Sequence, residues 1–424
     1  MRTHRNHQRR TGSVMVLAAV MMVVMFGVLA FAVDLGYVGV VHTQLQASAD
    51  ATALASAWEL VGQRANATNV NPVTNISLSA DTWPIARQYA SLNRVANEPS
   101  ALGTDDVVIG RVDDPSSLSA PPNSDEPNSD EPSPWNFDNP SRFNAVKVRV
   151  QKTTDQNGSI SLFFAKMLGV NSTEAKAEAT AMFRDDFIGF GPPANGTNLQ
   201  MLPYAMDEQT WKAAYPTDEH GTPLPGTGTD EWKWDGNDPE NPVKPGHDGI
   251  LEVNLFPQGT DVPGNRGTVD IGNNNNSTKA IATQIKDGIS STDLANVDGG
   301  ELKLDANGEL ELNGDTGISA GVKDDLASLI GWKKDDFGND IIPRQEQTRI
   351  IPIFSEVTGP GNNATYTIVG FECVRIMEVK LTGSMSGKRV ILQKAHMTVL
   401  GGVPAPPGSE PISHGIYSPV WLVR

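Results

Sequence analysis

Residues 13–33 read SVMVLAAVMMVVMFGVLAFAV, a run of 21 residues without a charged side chain. In a helix that rises about 1.5 Å per residue, the run extends roughly 31 Å, the thickness of one hydrocarbon core. It is longer than the apolar region of about 7–15 residues in a removed secretory signal, and it continues into helix-compatible sequence without a proline or turn cluster. An uncleaved transmembrane helix from Ser13 to Val33 is therefore expected. Arg2, Arg5, Arg9 and Arg10 precede it, and DLGYVGVVHTQ follows it. The positive-inside bias then places residues 1–12 in the cytoplasm and the bulk of the chain in the periplasm or outside, anchored in the inner membrane by a single pass.

Outward from the span the helical pattern persists over 34–64. Val38, Val41, Leu45, Ala49 and Ala53 recur at spacings of three and four, which is one face of a helix. The stretch LQASADATALASAWEL presents mostly Ala and Ser, side chains short enough for another helix or sheet to approach closely. Leu45, Ala49 and Ala53 are thus expected to form a packing face, with Ser48 and Ala55 on the opposite side. A homo-oligomer built through this helix remains open.

The arrangement RRTGSVMVL, the apolar run, then FAVDLGYVGVVHTQLQASADATALASA resembles the N-terminal segment of the TadE/TadG-like Flp pilus-assembly proteins. The resembling positions are Gly12, Asp34 and Gly36 around the span, then Leu45, Gln46 and Asp50, within a TadG-like segment at 9–60. GTVDIGNNNNST and QIKDGI further on are similar to parts of larger TadG-like proteins. The resemblance implies a pilus-assembly role, a membrane location, and other pilus-assembly or envelope proteins as partners. Prepilin-like members are cut after a Gly, with Glu at the fifth residue that follows; counted from Gly12, that place holds Leu17. An anchored accessory protein that keeps its N-terminus is expected in place of a processed pilin.

The rest of the chain is acidic. The net charge is −17 over 424 residues, and the four N-terminal arginines are the only charged residues before Asp34. That balance disfavours binding to a nucleic-acid backbone and suits an exported soluble region. One cysteine, Cys373, excludes an internal disulfide and CxxC chemistry and reads as a buried small hydrophobe. Forty Gly and 29 Pro predict many loops.

The expected fold is α+β. A small α+β unit covers 65–185, interrupted at 113–141 by a Pro/Ser/Asp-rich spacer that repeats NSDEP; 186–424 is a mostly β C-terminal region. A helix is expected at 83–96 and a strand at 105–112. Val146, Val148 and Val150 alternate with polar residues and predict a strand. Residues 161–168 predict a short helix with Leu162, Phe163 and Leu168 inward, and the alternating alanines at 175–181 favour a strand. Ser277 and Thr278 announce a helix to residue 287. GELKLDANGELEL predicts a hairpin turning at Asn307-Gly308. A helix follows at 320–330, then strands in RIIPIF, ATYTIVGFECVRIMEVKLTG and RVILQKAHMTVL.

The chemistry-bearing motifs fail their tests. LTGSMSG has Thr382 and Ser384 where a DxSxS metal site needs Asp, and its Gly spacing does not make a phosphate loop. The histidines at 4, 7, 42, 220, 247, 396 and 414 form no HxxxH pair. DGNDPEN at 235–241 lacks the register of a calcium loop. No catalytic, cofactor-binding or metal site is expected, so the protein is read as a non-enzymatic assembly component working through protein contacts. Trp211, Trp232 and Trp234 carry the alternative, an adhesion or carbohydrate-binding surface, and an exported hydrolase is a distant third.

Overall fold

The computed structural model describes residues 13–67, 78–118, 134–138, 142–216, 224–234, 242–256, 266–272, 277–317, 320–330, 348–359, 361–384, 387–407, 409 and 412–423. The basic tail with Gly12, most of the 113–141 spacer, His220, residues 235–241, the Asn run 273–276 and Ser386 lie outside them.

One helix, α1 (Ser13–Ala67), carries the apolar run and its continuation through 55 residues without a break. At about 1.5 Å per residue it is roughly 80 Å long. From Val14 to Val33 its side chains are exposed all round, apart from a half-buried Ala30. It is long and apolar enough to cross a membrane. Beyond Val33 one side becomes buried. A second helix, α2 (Leu78–Leu92), runs back along it. Gln63 accepts a bond from Thr82 Oγ1 (3.3 Å), and Gln44 accepts the Ala96 backbone N–H (2.8 Å).

Both helices pack on an antiparallel sheet. Its strands are β1 (Val107–Gly110), β2 (Ala145–Lys152) and β3 (Ala175–Met182), with a closing strand at Trp421–Val423 beside β3. Val146, Val148 and Val150 point inward while Lys147, Arg149 and Gln151 stay half-exposed, the alternation of a one-sided strand. Ala177, Ala179 and Ala181 face the same core. On the sheet's other side, Trp135 packs with Val112 and Ala145, so the far end of the spacer region belongs to the fold.

The 161–168 stretch departs from expectation. It is a two-residue strand, Ile160–Ser161, and a 3-10 turn, Ala165–Leu168. Leu162 is buried, but Phe163 and Leu168 are 61% and 83% exposed. The turn ends at Gly169 (φ 87°), too short to bury two faces.

The C-terminal body is built on a larger sheet. Its strands are β4 (Tyr204–Asp207), β5 (Glu252–Asn254), β6 (Arg266–Val269), β7 (Leu310–Asp315), β8 (Arg349–Thr358), β9 (Ala364–Lys380) and β10 (Arg389–Lys394). The order β7-β6-β4-β8-β9 closes on itself, because β7 also pairs with β9. Closure removes two sheet edges that would otherwise be free to pair. A bulge near Phe354 bends β8 around the ring. Tyr366 lies across it: a Cβ on Gly267 would stand 2.1 Å from the Tyr366 hydroxyl, so the ring needs glycine there. The 17-residue β9 runs on to pair with β10, which carries β5 at the sheet's far edge.

Two further expectations are resolved here. The helix Thr278–Asp287 starts at Ser277, whose Oγ accepts the Ala280 N–H (3.3 Å). The hairpin at Asn307-Gly308 does not form. A turn is present, with Gly308 at φ 79°, but Leu302 pairs with Phe190 while Leu310 pairs with Ile368. Each arm buries its leucines in a different sheet, a gain larger than two arms pairing alone in water. Cys373 is buried in β9, and burial pushes its thiol pKa well up.

Candidate functional site

The region that organises the molecule is the seam along α1 beyond Val33. Val41, Leu45, Ala49, Ala53, Ala57 and Leu60 are each 0% exposed. They pack against β2, β3 and α2 of the same chain. The counterpart of the Ala-rich helix face is thus an Ala-rich strand face, Ala177 to Ala181, and short side chains on both let the backbones approach. Ser48 is buried as well, and Ala55 is half-buried. Ser48 sits three residues from Leu45, only about 60° round the helix, and α2 widens the buried arc on that flank. The side of the helix that faces outward carries Gly36, Val40, Thr43, Ala47 and Trp58. Nothing lies within 4 Å of where a Cβ on Gly36 would stand.

Polar clips fix both ends of the seam. At its start, Asp34 is 3% exposed and its carboxylate accepts the backbone N–H groups of Phe163 (2.7 Å), Phe164 (3.0 Å) and Ala165 (2.7 Å). Those amides open the 3-10 turn and have no partner within it, so Asp34 caps that turn from another element. Burial works against its charge, but the three donors and nearby Lys166 outweigh it and hold its pKa below the ordinary value. The Phe163 ring stands edge-on to Tyr37 at 5.2 Å.

Midway, Gln46 Nε2 donates to Asp50 Oδ1 (2.8 Å) and to the Glu178 carbonyl of β3 (3.1 Å). This explains a polar residue beside buried Leu45: it ties the helix to the strand's backbone.

At the far end, Arg64 reaches the buried carboxylate of Asp185, which also receives Arg111 (3.4 Å). Arg64 further donates to the Phe143 carbonyl (3.4 Å) and lies over the rings of Phe183 and Tyr417 at 5.6 and 5.7 Å. Burial opposes the charge on Asp185, but Arg64 and Arg111 more than compensate and hold its pKa down. The cluster joins both parts of the chain, because Asp185 follows β3 and Tyr417 precedes the closing strand. Sequence reasoning missed it. The available signal was Arg64 itself, the one Lys or Arg between residues 11 and 64.

The tryptophans are engaged elsewhere. Trp211 is 4% exposed, Trp232 lies under Lys244 (5.1 Å), and Trp234 lies under Arg375 (5.4 Å). Among the described residues no group of three or more His, Cys, Asp or Glu is arranged to hold a metal ion.

This arrangement defines a class: a small α+β unit clamped to the C-terminal half of a long helix whose N-terminal half is exposed and apolar. Comparison with known families finds likenesses in the same region. The TadE/G-like Flp pilus-assembly family matches residues 12–59, and the Tad-like Flp pilus-assembly family matches residues 42–181. Through this region the chain is similar to the TadE/TadG-like Flp pilus-assembly families. The two matches overlap along the clamped seam at 42–59, and the second ends within β3, so together they span the helices and three strands of the first unit. No curated protein and no solved structure matches the chain.

Proposed function

We propose that this protein is a non-enzymatic component of Tad/Flp-type pilus assembly, anchored in the inner membrane by residues 13–33, with its N-terminus in the cytoplasm and the body outside. The observation that carries the reading is the coincidence of the two family regions with one mechanical unit. A bare apolar helix passes without a break into a helix clamped at Asp34, Gln46 and Arg64 to a folded platform. A continuous helix keeps the platform in a fixed relation to the membrane segment. Since Leu45, Ala49 and Ala53 are occupied by the chain's own sheet, contacts with other assembly proteins, or with a second copy, fall to the outward flank around Leu35, Val40 and Trp58, which are 57%, 55% and 49% exposed.

A photo-crosslinking side chain at Trp58 in the native cell tests this. Recovery of other pilus-assembly proteins is expected, together with loss of pili when the chain is deleted. Normal pili in the deletion strain would refute the role. Topology is read separately: protease added to spheroplasts is expected to remove a tag after Arg424 and to spare one before Thr11.

A further inference from the structure

Among the described residues, the most exposed apolar stretch outside residues 14–33 is the loop that Asp34 caps. In FFAKMLGV (163–170), Phe163 is 61%, Phe164 44%, Met167 87%, Leu168 83% and Val170 51% exposed. Five large apolar side chains on one short loop are a conspicuous patch for a surface in water. Their position in the fold accounts for them. The loop is held by direct hydrogen bonds to Asp34, the first charged residue after the apolar run, and the Phe163 ring rests on Tyr37. Its level along α1 is therefore that of the outer end of residues 13–33. Lys166, exposed in the middle of the loop, adds a cation whose long stem can keep its head among phosphates while its neighbours go deeper.

We propose that the loop 163–170 dips into the interfacial layer of the same bilayer that α1 enters, making a second, shallow membrane contact for the exported body. The inference rests on residues 13–33 being the membrane anchor. The chosen occupant is lipid, because the patch is continuous with the bare apolar surface of α1, and because Tyr37, Phe163 and Phe164 gather aromatic rings where a bilayer's interfacial aromatic belt would lie. A helix alone leaves the body free to tilt against the bilayer. A second contact beside the helix restricts that tilt.

Spin labels on single cysteines introduced into the full chain test this in nanodiscs of phosphatidylethanolamine and phosphatidylglycerol. Cys373, buried, is left in place. Met167→Cys reports on the loop, Val23→Cys on the span, and Asn195→Cys on an exposed turn of the body. The expected result is a several-fold preference for collision with oxygen over a water-soluble nickel chelate at Met167→Cys and Val23→Cys, and the reverse at Asn195→Cys. Nickel preference at Met167→Cys with oxygen preference at Val23→Cys overturns the loop proposal and leaves the anchor standing. Protection of Met167→Cys from both reagents assigns the patch to a protein cover and also overturns it. Nickel preference at Val23→Cys removes the anchor reading, and the loop proposal with it.

Discussion

The two halves of α1 are both rich in apolar residues, yet they meet different surroundings. From residue 14 to 33 the helix carries Val, Met, Leu and Phe on every side, and among the described residues these side chains stay exposed. From residue 38 to 61 it carries mainly small side chains, and one side is sealed against a sheet. Side-chain size is the difference. Large side chains suit a fluid apolar solvent that fills the gaps between them, whereas Ala and Ser suit a fixed backbone that must come close. Helical periodicity is visible in the second half because only one face is buried. It is absent from the first because all faces meet the same medium.

The strongest way to break this contrast is to charge the seam. Ala49→Glu with Ala53→Glu puts two carboxylates against β2 and β3 without partners. Leaving an uncompensated buried charge costs about 3–5 kcal/mol, a large part of the 5–15 kcal/mol that holds a typical domain. The helix is expected to separate from the sheet, seen as rapid proteolysis in the first unit and a lost thermal transition in detergent. Thr43→Glu with Ala47→Glu, on the exposed side one turn apart, is expected to shift stability by about 0.5 kcal/mol or less. Equal behaviour of the two pairs would falsify the close-packed seam.

A single change at the far clip comes next. Asp185→Ala leaves Arg64 and Arg111 buried side by side and is expected to cost about 3 kcal/mol, read by chemical denaturation. The native pKa of Asp185 lies below its ordinary 3.8. Its contribution is therefore complete above that value and is lost as pH falls through the native pKa. The stability gap between the native chain and Asp185→Ala is expected to stay flat from neutrality down to about pH 4 and to narrow below it, which matches this sign.

A carboxylate of the C-terminal body sharpens the comparison by behaving oppositely. Glu252 is buried, with Asp230 and Asp248 nearby, and burial raises its pKa to about 7. Between 4.5 and 7 the unfolded chain ionises this group before the folded one does, so stability falls as pH rises through that window. Glu252→Gln is expected to remove the slope. A slope that survives the substitution assigns it to other groups.

How much of this was legible beforehand follows from which interactions are local. The apolar run of α1, the Leu45/Ala49/Ala53 face and the alternation at Val146, Val148 and Val150 are patterns within one element, and the sequence displays them directly. The Asn307-Gly308 turn was also readable, but the destinations of its arms were not, since Leu302 and Leu310 choose partners more than fifty residues away in sequence. The clips were hidden for the same reason. Asp34 acts 129 residues from Phe163, and Arg64 acts 121 residues from Asp185. Phe163 and Leu168 depart from expectation because apolar character alone predicts a side chain turned into a core, whereas the chain exposes them beside its own apolar helix.

The smallest expected effect lies at the boundary between the halves, and it asks whether Asp34 clamps the loop or merely sits near it. Asp34→Ala removes the acceptor for three amides that have no partner in their own turn. Asp34→Asn keeps one carbonyl oxygen in nearly the same place and loses the charge. Neither change touches the seam from Val41 to Leu60, so the global melting temperature is expected to stay almost constant. The response is local: exchange of the 163–165 amides with deuterated solvent in detergent should be fastest in Asp34→Ala, intermediate in Asp34→Asn and slowest in the native chain. Because the native pKa of Asp34 is lowered, the protection it gives should persist down to its ordinary value of 3.8 and disappear as pH falls through the native pKa. Unchanged exchange in Asp34→Ala would transfer the holding role to the Tyr37–Phe163 ring contact, which Tyr37→Ala then tests by the same measurement. Graded exchange across the two Asp34 variants ties the first charged residue after the apolar run to the loop that shares its level.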